Sequence, residues 1–302
     1  MTGQSIVRMH DDEVATDAPL VHRLLTAQFP QWADLPIQPV PSVGTDNALY
    51  RLGDDMVVRL PRIHWAVGQV EKDHEWLPKL APFLPLAIPA PLAMGEPGEG
   101  YPWHWSIYQW LEGENATIEQ IAEPCQAAID LAKFITALQQ IDPAGGPLAA
   151  DHDLRGAPLS TRDTETREAI TALHGMIDTD AVTAVWDTAL QVSEWDRAPV
   201  WFHGDLLPGN LLFKNGQISA VIDFAGLGVG DPACDLMISW GLFSGKSRKV
   251  FRTTLGVDDA TWARGRGLAL SQALIFIPYY LNTNPVGVSN AWRTIGEILA
   301  DY

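Results

Sequence analysis

Three polar side chains lie where short apolar runs of this chain begin or end, and their types suit metal and phosphate chemistry. The apolar run 200–202 leads into a loop that carries Asp205, and Asn210 directly precedes the next apolar run. The turn signal Asn215-Gly216 then predicts a hairpin whose second strand ends at Asp223. Two carboxylates and an amide gathered around one hairpin suit Mg²⁺ and a hydroxyl group that receives a phosphoryl group.

The spacing of these residues is more specific than their types. Kinases carry the pattern H-R-D-x-x-x-x-N, followed by a metal-binding D-F-G. Here His203-Gly204-Asp205 and Asn210 keep that spacing, with glycine in place of arginine, and the run D-F-A-G begins at Asp223. An ordinary hairpin with polar loop residues is the alternative. The complete set in the kinase order favours a catalytic site.

At this point the sequence resembles the aminoglycoside phosphotransferase family, whose members have a protein-kinase-like fold. Residues 222–236 read I-D-F-A-G-L-G-V-G-D-P-A-C-D-L, which matches the family's second motif closely. Weaker resemblance extends from about Val40 to the C-terminus. The resemblance implies an α+β fold with a β-rich, nucleotide-binding N-lobe over residues 1–110 and a mostly helical C-lobe over residues 111–302. It also implies ATP or GTP as the phosphoryl donor, with Mg²⁺.

The composition and charge of the chain limit the classes of molecule that it is expected to bind. The chain has 302 residues, of which 47% are apolar, and its formal net charge is −17. Such a charge repels nucleic acid and anionic lipid and attracts cations, although many acidic proteins are simply soluble. No leader-like N-terminus or membrane-spanning run is evident, and Cys125 and Cys234 are far apart. We expect a cytoplasmic protein with reduced thiols and a small-molecule, cationic acceptor, without nucleic-acid or membrane partners.

The first third of the chain predicts a helix over 20–29 and strands over 38–44, 48–52 and 56–60. The first strand connection is where kinases place the loop that covers the ATP phosphates. Gly44, Thr45 and Asn47 could contact phosphate there through backbone N–H groups and polar side chains. The connection lacks G-x-G-x-x-G, which counts against a protein-serine/threonine kinase and leaves a plain hairpin turn as the alternative.

Arg59 stands where kinases carry the phosphate-binding lysine of V-A-I-K. Arg62 is its competitor, but Pro61 places it past the end of the strand. A helix is predicted over 70–81, and alignment with the family puts the acid that pairs with the cation at Asp73, where the family usually has glutamate. Glu71 and Glu75 are expected on a solvated face.

The resemblance implies further positions. A predicted strand over 103–110 leads to the hinge, where adenine would bond the backbone of Gln109 and Leu111. Helices are predicted over 125–140, 162–174, 180–195 with Asp180 as the cap, 246–255, 259–281 and 286–301. Asp231 is expected to brace the catalytic loop first and to act as a ligand second, and Asp235, one turn later, could face the substrate. Four acids of the C-terminal helices could contact a polyamine, although most are expected to be solvated: Asp258, Asp259, Glu297 and Asp301.

These roles combine into one hypothesis. Asn210 and Asp223 hold Mg²⁺, Arg59 holds the nucleotide phosphates, and Asp205 orients the acceptor hydroxyl and accepts its proton. His203 orients the loop. The acceptor is expected to be aminoglycoside-like, with a macrolide, sugar, choline-like compound or amino alcohol as alternatives. A non-catalytic nucleotide-binding module is the alternative from a different functional class.

Overall fold

The computed structural model describes residues 13–41, 46–116, 121–148 and 155–302. The chain divides into two compact units, one formed by residues 1–82 and 87–112 and the other by residues 83–86 and 113–302. Within the described ranges, no helix is both long and apolar enough to cross a membrane.

The first unit is built on a five-stranded antiparallel sheet. Its strands follow the order β1-β2-β3-β5-β4. The apolar side chains of the sheet pack with helix α1 into one core, which includes Leu24, Val58 and Trp105. The elements are α1 Ala18–Gln28, β1 Ile37–Pro39, β2 Asn47–Leu52, β3 Met56–Pro61, α2 Gln69–Leu80, β4 Pro91–Gly95 and β5 Trp105–Gln109.

Most elements predicted for this unit are present, but the first strand is shorter than expected. It was predicted over residues 38–44, whereas β1 ends at Pro39. Val40 N still donates to Leu49 O (2.9 Å), so the pairing with the neighbouring strand continues briefly beyond β1. Gly44 and Thr45, the predicted phosphate-loop residues, lie outside the described residues.

The second unit is mostly helical and carries two small sheets. One sheet pairs β10 with β7, and the other follows the order β6-β8-β9. Helix α3 packs on α7, and the long helix α8 packs on α5 and α9. The elements are β6 Glu114–Asn115, α3 Pro124–Gln139, α4 Asp163–Ala172, α5 Thr179–Gln191, β7 Val200–Phe202, β8 Leu211–Lys214, β9 Gln217–Val221, β10 Gly228–Gly230, α6 Ile238–Gly241, α7 Gly245–Leu255, α8 Asp259–Tyr280 and α9 Pro285–Asp301.

The prediction that Asp180 caps its helix is wrong. Helix α5 begins one residue earlier, and Asp178 is the residue with extended backbone whose side chain accepts the N–H of Ala181 at 3.0 Å. Asp180 lies in the first turn of the helix, where its negative charge interacts favourably with the positive end of the helix dipole.

Candidate active site

The predicted hairpin is formed by β8 and β9. Asn215 and Gly216 both adopt positive φ, at 55° and 77°, and Lys214 pairs with Gln217 across this two-residue turn. Positive φ at both central residues is the geometry whose twist matches that of antiparallel strands. The hairpin thus has Asn210 immediately before its first strand and Asp223 shortly after its second.

Asp205 and Asn210 are in direct contact. The Nδ2 group of Asn210 donates to the backbone oxygen of Asp205 at 2.8 Å and to its Oδ2 at 3.0 Å. The five-residue spacing therefore closes the loop on itself, and the amide fixes the orientation of the carboxylate.

His203 connects this loop to the end of the hairpin. Its ring is completely buried; Nδ1 accepts the N–H of Asp205 at 3.1 Å, and Nε2 donates to the oxygen of Ile222 at 3.1 Å. Burial lowers the pKa of His203 to about 4, so the ring is neutral and suited to this pair of bonds. Because Ile222 precedes Asp223, the imidazole links the backbone segments that carry the two candidate aspartates, Asp205 and Asp223. Its contacts agree with the expected orienting role.

Asp235, not Asp231, braces the loop that carries Asp205. The buried carboxylate of Asp235 accepts the N–H of His203 at 2.9 Å and that of Gly204 at 2.8 Å. Burial raises its pKa to about 7 despite these bonds. Asp231 instead pairs with Arg264 at 2.7 Å and caps the following turn. The expectation that Asp235 faces the substrate is also wrong, because its side chain is fully buried beneath the loop.

Gly204 takes the place of the kinase arginine for a steric reason. Its φ is +79°, and a Cβ atom on it would lie 2.3 Å from the backbone oxygen of Gly226. A side chain at this position would therefore require the loop to move away from the segment that follows Asp223. Asp223 itself has φ of 62°, a left-handed conformation that is uncommon for a residue with a side chain.

Arg155 is a site residue that the sequence did not predict. Its Nη1 group donates to the backbone oxygen of Gly204 and to Oδ1 of Asp205. The carboxylate of Asp205 is thus held by an arginine on one oxygen and by Asn210 on the other, with about 20% of its side chain exposed. Arg155 lies between the helices predicted over 125–140 and 162–174, and no motif marks it.

The first unit contains the predicted cation–acid pair. Arg59 Nη1 lies 3.2 Å from Oδ2 of Asp73, and Tyr108 donates to the same oxygen at 2.8 Å. The tyrosine supports an acid that is one methylene shorter than the glutamate usual in the family. Arg62 is buried and faces a different acid, Glu13, at 3.7 Å.

The other acids of α2 lie apart from this pair. Glu71 contacts His104, and Glu75 pairs with Lys79 at 3.2 Å. Their side chains are 43% and 57% exposed, in keeping with the expected solvated face.

Three further residues predicted to bind the nucleotide lie in or just after strands of the first unit. Asn47 is the half-buried first residue of β2. Gln109 ends β5, and its N–H donates to the oxygen of Ala90 at 2.9 Å, so an adenine contact there would have to use its carbonyl oxygen. Leu111 follows two residues later and is half-buried.

The acids of the C-terminal helices are paired with arginines of the same unit. Asp258 lies 2.8 Å from Arg197, Asp259 contacts Arg252, and Arg248 contacts Glu297 and Asp301. They are therefore not an unpaired acidic lining, and a cationic acceptor gains no support from them. Among the described residues, no three acids, histidines or cysteines are grouped to hold a metal by themselves.

Comparison with known proteins agrees with these features. The aminoglycoside 3'-phosphotransferase of Escherichia coli is 25% identical over 170 residues, which cover 51% of this chain and 59% of that protein. The GDP complex of aminoglycoside 2'-phosphotransferase-IIIa is 18% identical, with a TM-score of 0.74, over 95% of this chain and 99% of that one. A macrolide 2'-phosphotransferase from Brachybacterium faecium is 19% identical, with a TM-score of 0.61, over 93% and 98%.

At these identities the solved structures establish the fold, and the expected kinase-like class, with a β-rich N-lobe and a mostly helical C-lobe, is confirmed. The family itself is established by sequence. A model of the phosphotransferase enzyme family matches residues 37–268, which is most of the chain, and this protein therefore belongs to that family.

Proposed function

We propose that this protein is a small-molecule O-kinase, which transfers the γ-phosphoryl group of ATP or GTP to a hydroxyl of its acceptor. The observation that carries the proposal is the carboxylate of Asp205, which Asn210 and Arg155 hold from both sides. A carboxylate fixed in this way can orient an acceptor hydroxyl and take its proton. Phosphoryl transfer depends mainly on such positioning and on charge neutralisation.

Asn210 and Asp223 are the residues that would hold Mg²⁺. The amide of Asn210 uses Nδ2 for its bonds to Asp205, so its Oδ1 is the atom suited to a cation. One carboxylate and one amide oxygen fit Mg²⁺, which usually takes few protein ligands and completes its shell with phosphate oxygens and water. When bound, the ion would neutralise negative charge on the nucleotide phosphates.

Arg59, held by Asp73, is proposed to bind the nucleotide phosphates. Its planar guanidinium suits bidentate contact with phosphate oxygens, which a lysine makes only as a point charge. The other residues proposed for the nucleotide are Gly44, Thr45, Asn47, Gln109 and Leu111.

For the acceptor, we propose an aminoglycoside-like, cationic compound first. Support comes from the net charge of −17 and from the aminoglycoside phosphotransferases that the chain resembles. Because the fold is also similar to that of a macrolide phosphotransferase, other hydroxylated compounds are alternative acceptors. They include macrolides, sugars, choline-like compounds and amino alcohols. Since salt screens exposed charges over roughly 8 Å at physiological ionic strength, acceptor KM should rise with salt more steeply than nucleotide KM.

The test is a panel of hydroxylated acceptors incubated with the purified protein, Mg²⁺ and either ATP or GTP. Nucleotide consumption and a mass increase of one phosphoryl group on one acceptor are expected. Asp205→Asn is the control that keeps the size of the side chain and removes its charge. Nucleotide binding without transfer to any acceptor would instead support a non-catalytic module. Efficient transfer to neutral sugars or macrolides but not to aminoglycosides would refute the cationic acceptor.

A further inference from the structure

Arg155 and Arg162 lie on one short segment that is fixed to the helical core of the second unit. Leu159, between them, is buried, and the single turn Leu159–Arg162 packs on α5 and α8. The hydrogen bonds of each guanidinium group restrict its rotamers before a ligand binds, which lowers the entropy cost of binding.

The partners of Arg162 are neutral. Its Nε donates to Ser271 Oγ at 3.0 Å, and its Nη2 donates to Gln272 Oε1 at 3.2 Å. Among the described residues, no carboxylate lies within ion-pair distance of this guanidinium; Glu165, the carboxylate that favours its charge, acts from farther away and is exposed. Burial lowers the pKa of Arg162. A half-buried cation without a paired anion is costly, so an anionic ligand would offset that cost.

Both arginines line one cavity in the second unit. Its volume is about 10 Å³, and its other walls are Gln272 and the less polar side chains Cys234, Met237 and Leu268. A cavity of this size holds about one water-sized oxygen atom. Arg155 also contacts Asp205, so one side chain connects the cavity with the carboxylate proposed to act on the acceptor hydroxyl.

The lining decides the chemistry of the occupant. Arg155 is already paired with Asp205, so Arg162 supplies the positive charge that has only neutral partners. Guanidinium groups suit the oxygens of phosphate, sulfate or carboxylate. We propose that Arg155 and Arg162 form an oxyanion subsite beside Asp205, with one oxygen of the anion seated in the cavity. The anion has two sources: the phosphoryl group carried by the reaction product, or an anionic substituent of the acceptor. Which of the two sources supplies the anion depends on the proposed kinase function. The proposal that the two arginines bind an anion does not depend on it.

Anion binding is tested with inorganic phosphate on the full chain, by titration calorimetry or ³¹P line broadening. Saturable binding to the wild type is expected. Arg162→Gln should weaken it by roughly tenfold or more, because hydrogen bonds to charged groups are stronger than neutral ones. Arg162→Lys keeps the charge and should retain part of the affinity.

Arg167→Gln is the matched control. It removes one positive charge from α4, where Arg167 pairs with Asp163 and Asp187 on the surface, and should leave phosphate affinity unchanged. Circular dichroism establishes that each variant is folded. The absence of saturable phosphate binding to the wild type overturns the proposal even if Arg162→Gln does not fold. Wild-type affinity in folded Arg162→Gln overturns it as well.

The two sources are separated by turnover with acceptors from the panel, including a neutral sugar and its uronic acid. If the acceptor supplies the anion, the uronic acid has the lower KM, and Arg162→Gln abolishes that difference. If the product supplies it, Arg162→Gln weakens inhibition by the phosphorylated product and leaves the ratio of the two KM values unchanged. Phosphate binding that depends on Arg162, without turnover of any acceptor, would refute the proposed function and support the subsite.

Discussion

Replacing Asp235 should destabilise the protein by removing the acceptor of two buried backbone N–H groups. The carboxylate bonds His203 N at 2.9 Å and Gly204 N at 2.8 Å, and it has no exposed surface. A buried donor left without a partner costs about 1–3 kcal/mol. Asp235→Ala should therefore lower the free energy of unfolding by about 2–6 kcal/mol, and Asp235→Asn, which keeps one acceptor oxygen, by about 1–3 kcal/mol.

The assay is urea unfolding at a fixed pH below 7, because burial raises the pKa of Asp235 to about 7 and its ionisation above that pH would itself lower the stability of the wild type. Asp187→Asn provides a matched loss of charge from a half-exposed ion pair in the same unit, and such pairs contribute about 0–1 kcal/mol. Turnover should fall with Asp235→Ala because the loop that carries Asp205 loses its support. A change below about 1 kcal/mol for Asp235→Ala would refute the bracing role, since even one unsatisfied donor should cost that much.

Three further predictions concern the candidate site. Arg59→Ala should weaken nucleotide binding in calorimetry, whereas Arg62→Ala should mainly lower stability; equal losses of affinity would contradict the assignment. Asp205→Asn should keep Mg²⁺-nucleotide affinity and reduce turnover by roughly 10²–10⁴-fold, while Asp223→Asn should weaken Mg²⁺-dependent binding; the reverse result would exchange their roles. The pKa of His203 is lowered from 6.5 to about 4 on folding, so the unfolded chain takes up that proton first. The stability present above pH 6.5 should therefore be lost progressively as the pH falls towards about 4. In urea unfolding at several pH values, His203→Gln should lack this part of the slope, and an unchanged slope would contradict the neutral ring.

The local chemistry of the catalytic loop could be predicted because its signals lie close together in the chain. Asp205 and Asn210 contact each other across five residues, and Asn215-Gly216 carries the conformational preference of its own turn. Such contacts depend on short-range spacing and backbone preference, which the sequence displays directly. The pairing of Arg59 with Asp73 needed the family resemblance as well, because a strand cation and a helix acid do not by themselves specify each other.

The wrong predictions for Asp231 and Asp235 arose because the sequence does not show which of two nearby acids reaches the loop. Asp231 and Asp235 are four residues apart on one turn, so the sequence offered two equivalent acids for the brace. Which one reaches the loop depends on how that turn packs against β7, and the packing also gives Asp231 a different partner, Arg264.

The sequence by itself determined the order of the elements and the loop that carries Asp205 and Asn210, because periodicity and motif spacing are local properties. The fold class followed from the resemblance of its motifs to those of a known family. Only the tertiary structure decided which distant groups support that loop. Arg155 lies 50 residues before Asp205, Asp235 lies 32 residues after His203, and Tyr108 lies 35 residues after Asp73. No local preference marks these partners, since each contact exists only after separate elements have packed and buried the polar groups that must then be satisfied.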